Sequence, residues 1–250
     1  MPISNASLLD EDFSAIGDWT NNDEAPATST QETFDGEETL CQDTNGGAAG
    51  NDSAHINRDI GSIEGLGNTI VISFKLYHDA IGTMANTDWC YMAFYRSDWL
   101  LEMAFASDGL FIGDGVDLTA NEVGADLVQQ NVWQEWTFIV DLSGGVESAV
   151  CDVYLNNILQ ASDVDCSYDT GGGTQDGFVQ LIQHGWTTDD RITYIDYLKI
   201  GDGVLDISNV QINIGDSWKT ATGMQINIGD SWKTVTGMQI NVGGTWKTIF

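Results

Sequence analysis

The chain is predicted to be all-β: a two-sheet antiparallel sandwich over residues 1–206, followed by an array of three β-hairpins over 207–250. Three observations predict it. Apolar residues alternate at period two in segment after segment, and no stretch sustains the 3.6-residue period of a helix. Turn-forming pairs and triplets separate those segments at short intervals. The C-terminus is one unit written three times, with starts at Val210, Met224 and Met238 and no insertion in its 14-residue period.

Residues 15–66 are polar, acidic and glycine-rich, and read as long loops crossing the sandwich with only short strands; Asp43–Asp52 is the least structured part. Strand signals then follow in order. In Ile70–Leu76, Ile70, Ile72, Phe74 and Leu76 share one face, with Ser73 and Lys75 on the other. Trp89–Arg96, Leu100–Ala106 and Leu110–Gly113 come next, punctuated by Asp108-Gly109 and Asp114-Gly115. Trp136–Leu142 places Trp136, Phe138, Val140 and Leu142 together, and Ser143-Gly-Gly145 ends it. Val150–Leu155, Gly177–His184 and Arg191–Ile200 complete the set, separated by Asn156-Asn157 and Thr170-Gly-Gly-Gly173. Many short, half-buried strands bury their apolar faces by packing one antiparallel sheet on another. About 200 residues suffice for an independent core.

In each terminal unit, Ile alternates with Gln and Asn before a Gly-Asp or Gly-Gly pair and a Ser/Thr-Trp-Lys-Thr return. A fixed period means a fixed geometric step, which describes an array of structural units rather than a catalytic centre. A three-residue loop at Gly215–Ser217 puts Ile214 opposite Trp218 and keeps apolar groups on one face, so that register is expected. One unit is too short to bury its own apolar face. Neighbouring units, the preceding domain or other subunits must complete it, which makes Ile212, Ile226, Ile240, Trp218, Trp232 and Trp246 the candidate assembly residues. With its indole buried, Trp232→Ala costs roughly 3–5 kcal/mol.

Charge narrows the partners. Eight basic residues stand against 38 acidic ones, a net charge of −30. Residues 210–250 hold Lys219, Lys233 and Lys247 against Asp216 and Asp230, so the acidity lies in the sandwich. Such a body repels nucleic acid phosphate and excludes DNA or RNA as partner. No apolar run approaches the ~20 residues of a membrane-spanning helix. Met-Pro-Ile-Ser-Asn-Ala-Ser lacks the basic start and apolar core of a secretory signal. Cys151 and Cys166, 15 residues apart, either pair or stay as buried thiols, as do Cys41 and Cys90; no zinc spacing is present.

Catalytic patterns are missing: no GxSxG elbow, no HExxH pair and no P-loop. Glu135 and Asp141 are six residues apart on one strand, ~20 Å, too far to flank one glycosidic bond. His55, His78 and His184 are isolated in sequence and read as surface or core-edge residues. Asp196 is the most informative acid. Regular alternation puts it on the apolar face with Ile192, Tyr194, Leu198 and Ile200, where a carboxylate needs either backbone N–H partners or a cation. Trp99 and Trp186 sit beside turn-like segments, where each either stacks on a sugar ring or closes the end of the core.

Leu8–Phe13 with Gly17-Asp-Trp19, Trp136–Asp141, Val153–Asn157 and Tyr194–Asp202, in that order, resemble the concanavalin A-like lectin/glucanase superfamily of laminin-G-type jelly rolls. The resemblance covers residues 8–203. The glucanase branch of that superfamily carries E-x-D-x-(x)-E on a strand, which this chain lacks, so an enzyme is not expected. The resemblance also implies a structural calcium tying the first strand to the last, with Asp10 or Asp12 alongside Asp196. The tandem I-N-[IV]-G-[DG]-[ST]-W-K-T units resemble short repeats near the C-termini of tailed-bacteriophage virion proteins. Together the resemblances imply a non-enzymatic virion surface protein: a fibre, tail or capsid-decoration component, made in the host cytoplasm and released by lysis. Its implied partners are other virion proteins, copies of itself as a homotrimer, and a host surface glycan. A free carbohydrate-binding adhesin and a polysaccharide hydrolase are the alternative classes.

Overall fold

The computed structural model describes residues 9–45, 52–60, 68–86, 89–96, 99–114, 117–167, 178–185 and 190–202, together with the paired strands of the terminal repeats. In chain order the first strands are β1 (Leu9–Glu11), β2 (Thr20–Asn21), β3 (Thr28–Phe34), β4 (Glu37–Asp43), β5 (Asp52–Asp59), β6 (Thr69–Ala80) and β7 (Cys90–Arg96). Then come β8 (Trp99–Ala106), β9 (Gly109–Ile112), β10 (Asn121–Gly124), β11 (Trp133–Asp141), β12 (Val150–Leu155), β13 (Ile158–Asp165), β14 (Phe178–Gly185) and β15 (Ile192–Asp202). The repeats supply β16 (Gln211–Ile214), β17 (Ser217–Thr220), β18 (Gln225–Ile228), β19 (Ser231–Thr234), β20 (Gln239–Val242) and β21 (Thr245–Thr248).

The first fifteen strands form two sheets, and every strand pairing is antiparallel. One runs β13-β12-β11-β6-β15-β4-β3, with β1 added on β15; the other runs β10-β9-β8-β7-β14-β5-β2. The expected two-sheet sandwich is therefore what the chain builds. Its centre is the β6–β11 pair, where Phe74 lies opposite Trp136 and Phe138 opposite Ile72, all buried. Phe105 on β8 reaches in from the other sheet, edge-on to Phe74 at 5.7 Å and to Trp136 at 5.4 Å. Edge-to-face contacts of this kind add to the gain from area alone. Tight turns set the hairpins: Asp35 (φ 54°) and Gly36 (φ 90°) join β3 to β4, and Asn156 (φ 49°) and Asn157 (φ 65°) join β12 to β13. These left-handed pairs match the right-handed strand twist.

Three expectations are corrected. Residues 15–66 hold β3, β4 and β5, of seven, seven and eight residues. Their sequence looks like loop because β3 is an edge strand whose central residues are largely exposed, needing few apolar groups. Asp196 does not face the core. The β15 register shifts between Ile195 and Leu198, so Asp196 and Tyr197 together oppose Lys75. The bulge flips side-chain parity: Thr193 and Ile195 point inward before it, Leu198 and Ile200 after it, and Asp196 stays on the outer face. In the repeats, Asn213 rather than Ile214 lies opposite Trp218, and Ile214 pairs with Ser217, leaving two residues between the strands. The same register recurs at Asn227–Trp232 and Asn241–Trp246. A two-residue Gly-Asp or Gly-Gly connection favours the twist-matched primed turns, so turn chemistry outweighs apolar grouping. Each hairpin is its own two-stranded sheet.

Polar groups buried between the sheets are joined across them. The Gln42 side chain on β4 donates to the carbonyls of Ala54 (3.0 Å) and Leu181 (2.9 Å) in the opposite sheet. Thr193 Oγ1 donates to Gln183 Oε1 at 2.5 Å and so accepts from His78 Nδ1 at 2.8 Å, fixing the neutral Nδ1–H tautomer of His78. The Glu11 carboxylate accepts from Phe13 N, Trp19 Nε1 and Arg58, tying β1 to β5. All four cysteines are buried as thiols. Cys151 lies opposite Val164, and Cys166 N bonds Ala149 O, so Cys151 and Cys166 are diagonal neighbours on one face; their thiol–thiol hydrogen bond pushes the Cys166 thiol up.

Burial holds His78 down to about 3, from an ordinary 6.5. The unfolded chain takes a proton at His78 below pH 6.5 and the fold does not, so stability falls as the pH drops from about 6.5 toward 3. In urea denaturation, the deficit of His78→Gln relative to the native protein is expected to shrink by about 2 kcal/mol between pH 6.5 and pH 5. A deficit independent of pH would mean that the folded protein carries His78 protonated.

Candidate functional site

Sheet faces exposed to solvent normally carry polar side chains, and the outer face of the seven-stranded sheet holds an apolar patch among its polar ones. On β7, Met92 and Phe94 point into the sandwich while Tyr91, Ala93 and Tyr95 point outward. Register sets Tyr91 between Ala104 on β8 and Ile182 on β14, with Phe111 on β9 and His55 on β5 at the two ends of the row. The next row runs Glu102, Ala93, Gln180 and Asn57. Ala93 and Ala104 form a fully buried floor, flanked by Tyr91, Ile182 and Phe111 at 7–9% exposure. Trp89, Met84 and Leu118 pack against this layer from the adjoining loops.

Polar groups border that apolar floor. The Tyr91 hydroxyl donates to Glu102 Oε1 at 2.6 Å, and burial beside that carboxylate pushes the phenol up. The Gln180 amide donates to His55 Nε2 at 2.7 Å, which makes Nδ1 the protonated nitrogen of His55. His55 N in turn donates to Asp23 Oδ1 at 2.6 Å. The His184 ring packs against Trp89 at 4.4 Å, and its backbone N–H donates to Trp89 O at 3.0 Å. Burial lowers His55, and burial with the His55 charge brings His184 down to about 4, so both rings are neutral at pH 7. Half-buried aromatics over a close floor, with neutral donors and acceptors at the border, suit a ligand that has both C–H faces and hydroxyls.

The residues singled out from sequence are not brought together. Asp10 pairs with Lys199 at 3.0 Å, Asp12 accepts from Ser14 N at 3.0 Å, and Asp196 pairs with Lys75 at 2.6 Å. Among the described residues no three His, Cys, Asp or Glu side chains converge as a metal site, and these three acids do not fit the calcium expected of them. Trp99 opens β8 opposite Arg96, but its side chain lies outside the described residues, as does all of Trp186. The side chains of Ile212, Ile226, Ile240, Trp218, Trp232 and Trp246 also lie outside them. His55 and His184, isolated in sequence, meet Gln180 and Trp89. The missed signal was an apolar pattern on both parities of Trp89–Tyr95, which marks a strand covered on both faces.

A second aromatic group, on the outer face of the eight-stranded sheet, is closed on itself. Phe34 stacks on Tyr194 at 3.8 Å, and Lys75 Nζ lies 4.5 Å from the centre of the Trp133 ring. Its faces are thus partly occupied by its own members.

No protein-family model matches the chain, and no curated protein matches it in sequence. Solved structures do. The endo-β-1,4-glucuronan lyase of the fungus Trichoderma reesei aligns with a TM-score of 0.53 at 12% identity, over 78% of this chain and 94% of that one. The carbohydrate esterase vb_24B_21 of the Shiga toxin-encoding bacteriophage phi24B gives a TM-score of 0.50 at 11% identity, over 77% and 96%. The sandwich shares its jelly-roll fold with these structures. At this identity the likeness of the jelly roll to either structure is one of fold alone. Peanut lectin aligns at 0.47, with 12% identity over 77% of this chain and 95% of that one.

Tyr91→Phe is expected to lower stability by about 1.5–3 kcal/mol, since it removes a hydrogen bond to a carboxylate at a buried phenol. Denaturation midpoints check this; an unchanged midpoint would show that the hydroxyl contributes nothing to the folded state.

Proposed function

We propose that this protein is a non-enzymatic surface component of a tailed-phage virion, as fibre, tail or capsid decoration, whose jelly roll binds a host-surface glycan. The glycan lies on the outer face of the seven-stranded sheet. The terminal hairpins join the protein to other virion proteins and to copies of itself, as a homotrimer. One observation carries the binding reading: an apolar, aromatic layer on a sheet face that solvent would otherwise keep polar, bordered by the neutral groups of His55, His184 and Gln180 and by the Glu102 carboxylate. Sugar rings present that same combination of apolar C–H face and hydroxyl edge.

Binding without hydrolysis agrees with the acids present. A glycosidase needs two carboxyl groups facing one bond, ~5–9.5 Å apart. Glu102 is bonded to Tyr91, and Glu122, which register places on the same face opposite Phe111, is two strands away. Two strand spacings, ~10 Å, separate their backbones. The loop acids Asp114 and Asp117 accept from N–H groups of their own turn. The attachment reading is supported by the repeats themselves. Three isolated two-stranded hairpins are marginal in water and gain stability by docking.

Two measurements test the proposal. On a glycan array the native protein is expected to give hits that Trp89→Ala and Gln180→Ala weaken at least tenfold while the melting temperature stays within a few degrees. Deleting 210–250 is expected to leave a folded, glycan-binding sandwich that no longer joins purified particles. An array without hits removes the binding half of the proposal, and a truncated protein that still assembles removes the other.

A further inference from the structure

We infer that the glycan accepted by the outer face of the seven-stranded sheet is uncharged, a polymer of hexoses or N-acetylhexosamines rather than one bearing carboxylate, sulfate or phosphate groups. This rests on the proposed binding role of that face and names the ligand class it selects. The argument is one of charge placement. Glu102 stands in the row beside Ala93, at the middle of the face. Only its Oε1 is bonded to Tyr91. Oε2 lies beside Gly113, where a Cβ would stand 3.2 Å from it. An acidic sugar seated over the floor would meet this carboxylate at close range.

The surroundings add to the repulsion. Glu122 lies on the same face at β10. The charges that act on His55 are those of Asp23 and Glu24, and the charge that acts first on Tyr91 is that of Glu102. Three cations pair away from this face. Lys75 pairs with Asp196 and Lys199 with Asp10 on the other sheet, and Arg58 pairs with Glu11 at the β1 edge. His55 and His184 are neutral and offer hydrogen bonds without charge, which suits hydroxyl and acetamido groups. Over longer range the net charge of −30 opposes the approach of a polyanion, an effect that salt screens.

The test uses the full chain on a printed array carrying uncharged oligosaccharides beside uronate-, sialate- and sulfate-bearing ones, read at 20 and at 500 mM salt. Hits are expected among the uncharged set and to hold their strength in high salt. Acidic analogues of those hits, with a uronate in place of a hexose, are expected to bind at least tenfold more weakly at 20 mM salt, with a smaller gap at 500 mM. Glu102→Gln keeps an oxygen for the Tyr91 hydroxyl and is expected to narrow the gap at 20 mM at least threefold. Acidic hits as strong as the uncharged ones at low salt would overturn this inference and leave the glycan-binding role standing. An array with no hits of either kind would instead overturn the role and the inference together.

Discussion

The two sheets hold together through an aromatic interlock. Phe105 from one sheet meets Phe74 and Trp136 of the other edge-on, Phe138 stacks on Phe74, and all four are fully buried. Everything else is arranged around that contact. It fixes which parity of β6, β8 and β11 faces inward, and hence which residues the same strands present outward. On β7 both parities are largely apolar and Ile182 of β14 joins the outer set, so the inner set fills the sandwich while the outer set makes a second apolar layer. The candidate site is therefore a by-product of strand periodicity: a sheet with two apolar faces needs something on each.

Polar groups add direction to this nonpolar contact. Gln42 bonds two carbonyls of the opposite sheet, and Thr193 links His78 to Gln183 across the same gap. Apolar packing tolerates small slides between sheets, whereas a buried amide or hydroxyl does not, because displacement leaves it unpaired in a medium without water. These bonds define one alignment of the sheets. The Glu11 cluster does the same at the edge, where β1 meets the eight-stranded sheet and Arg58 comes from the other.

Much of this was legible in the sequence. Ile70–Leu76 and Trp136–Leu142 alternate cleanly, and both are central strands with the inward set expected. The failures have separate physical causes. β3 and β5 went unseen because edge and near-edge strands need few apolar residues, and polar strands look like loops. Asp196 was assigned to the wrong face because periodicity cannot register a bulge: one extra residue at Tyr197 reverses the parity downstream. The repeat register was misjudged because apolar grouping was weighed above the turn, and a two-residue Gly-containing connection decides the pairing first. The candidate face was missed because its parts are single residues from four strands. His55 and Gln180 are far apart in the chain and meet only through the β5–β14 pairing.

The terminal hairpins close their ladders internally: the two strands of each hairpin bond each other, and among the described residues no ladder bond runs from one unit to the next. A tail built this way is extensible. Duplication or loss of a whole 14-residue unit breaks no ladder in any other unit and leaves the sandwich register untouched. Length at this end of the molecule can therefore change in discrete steps, while the jelly roll that carries the aromatic face stays the same.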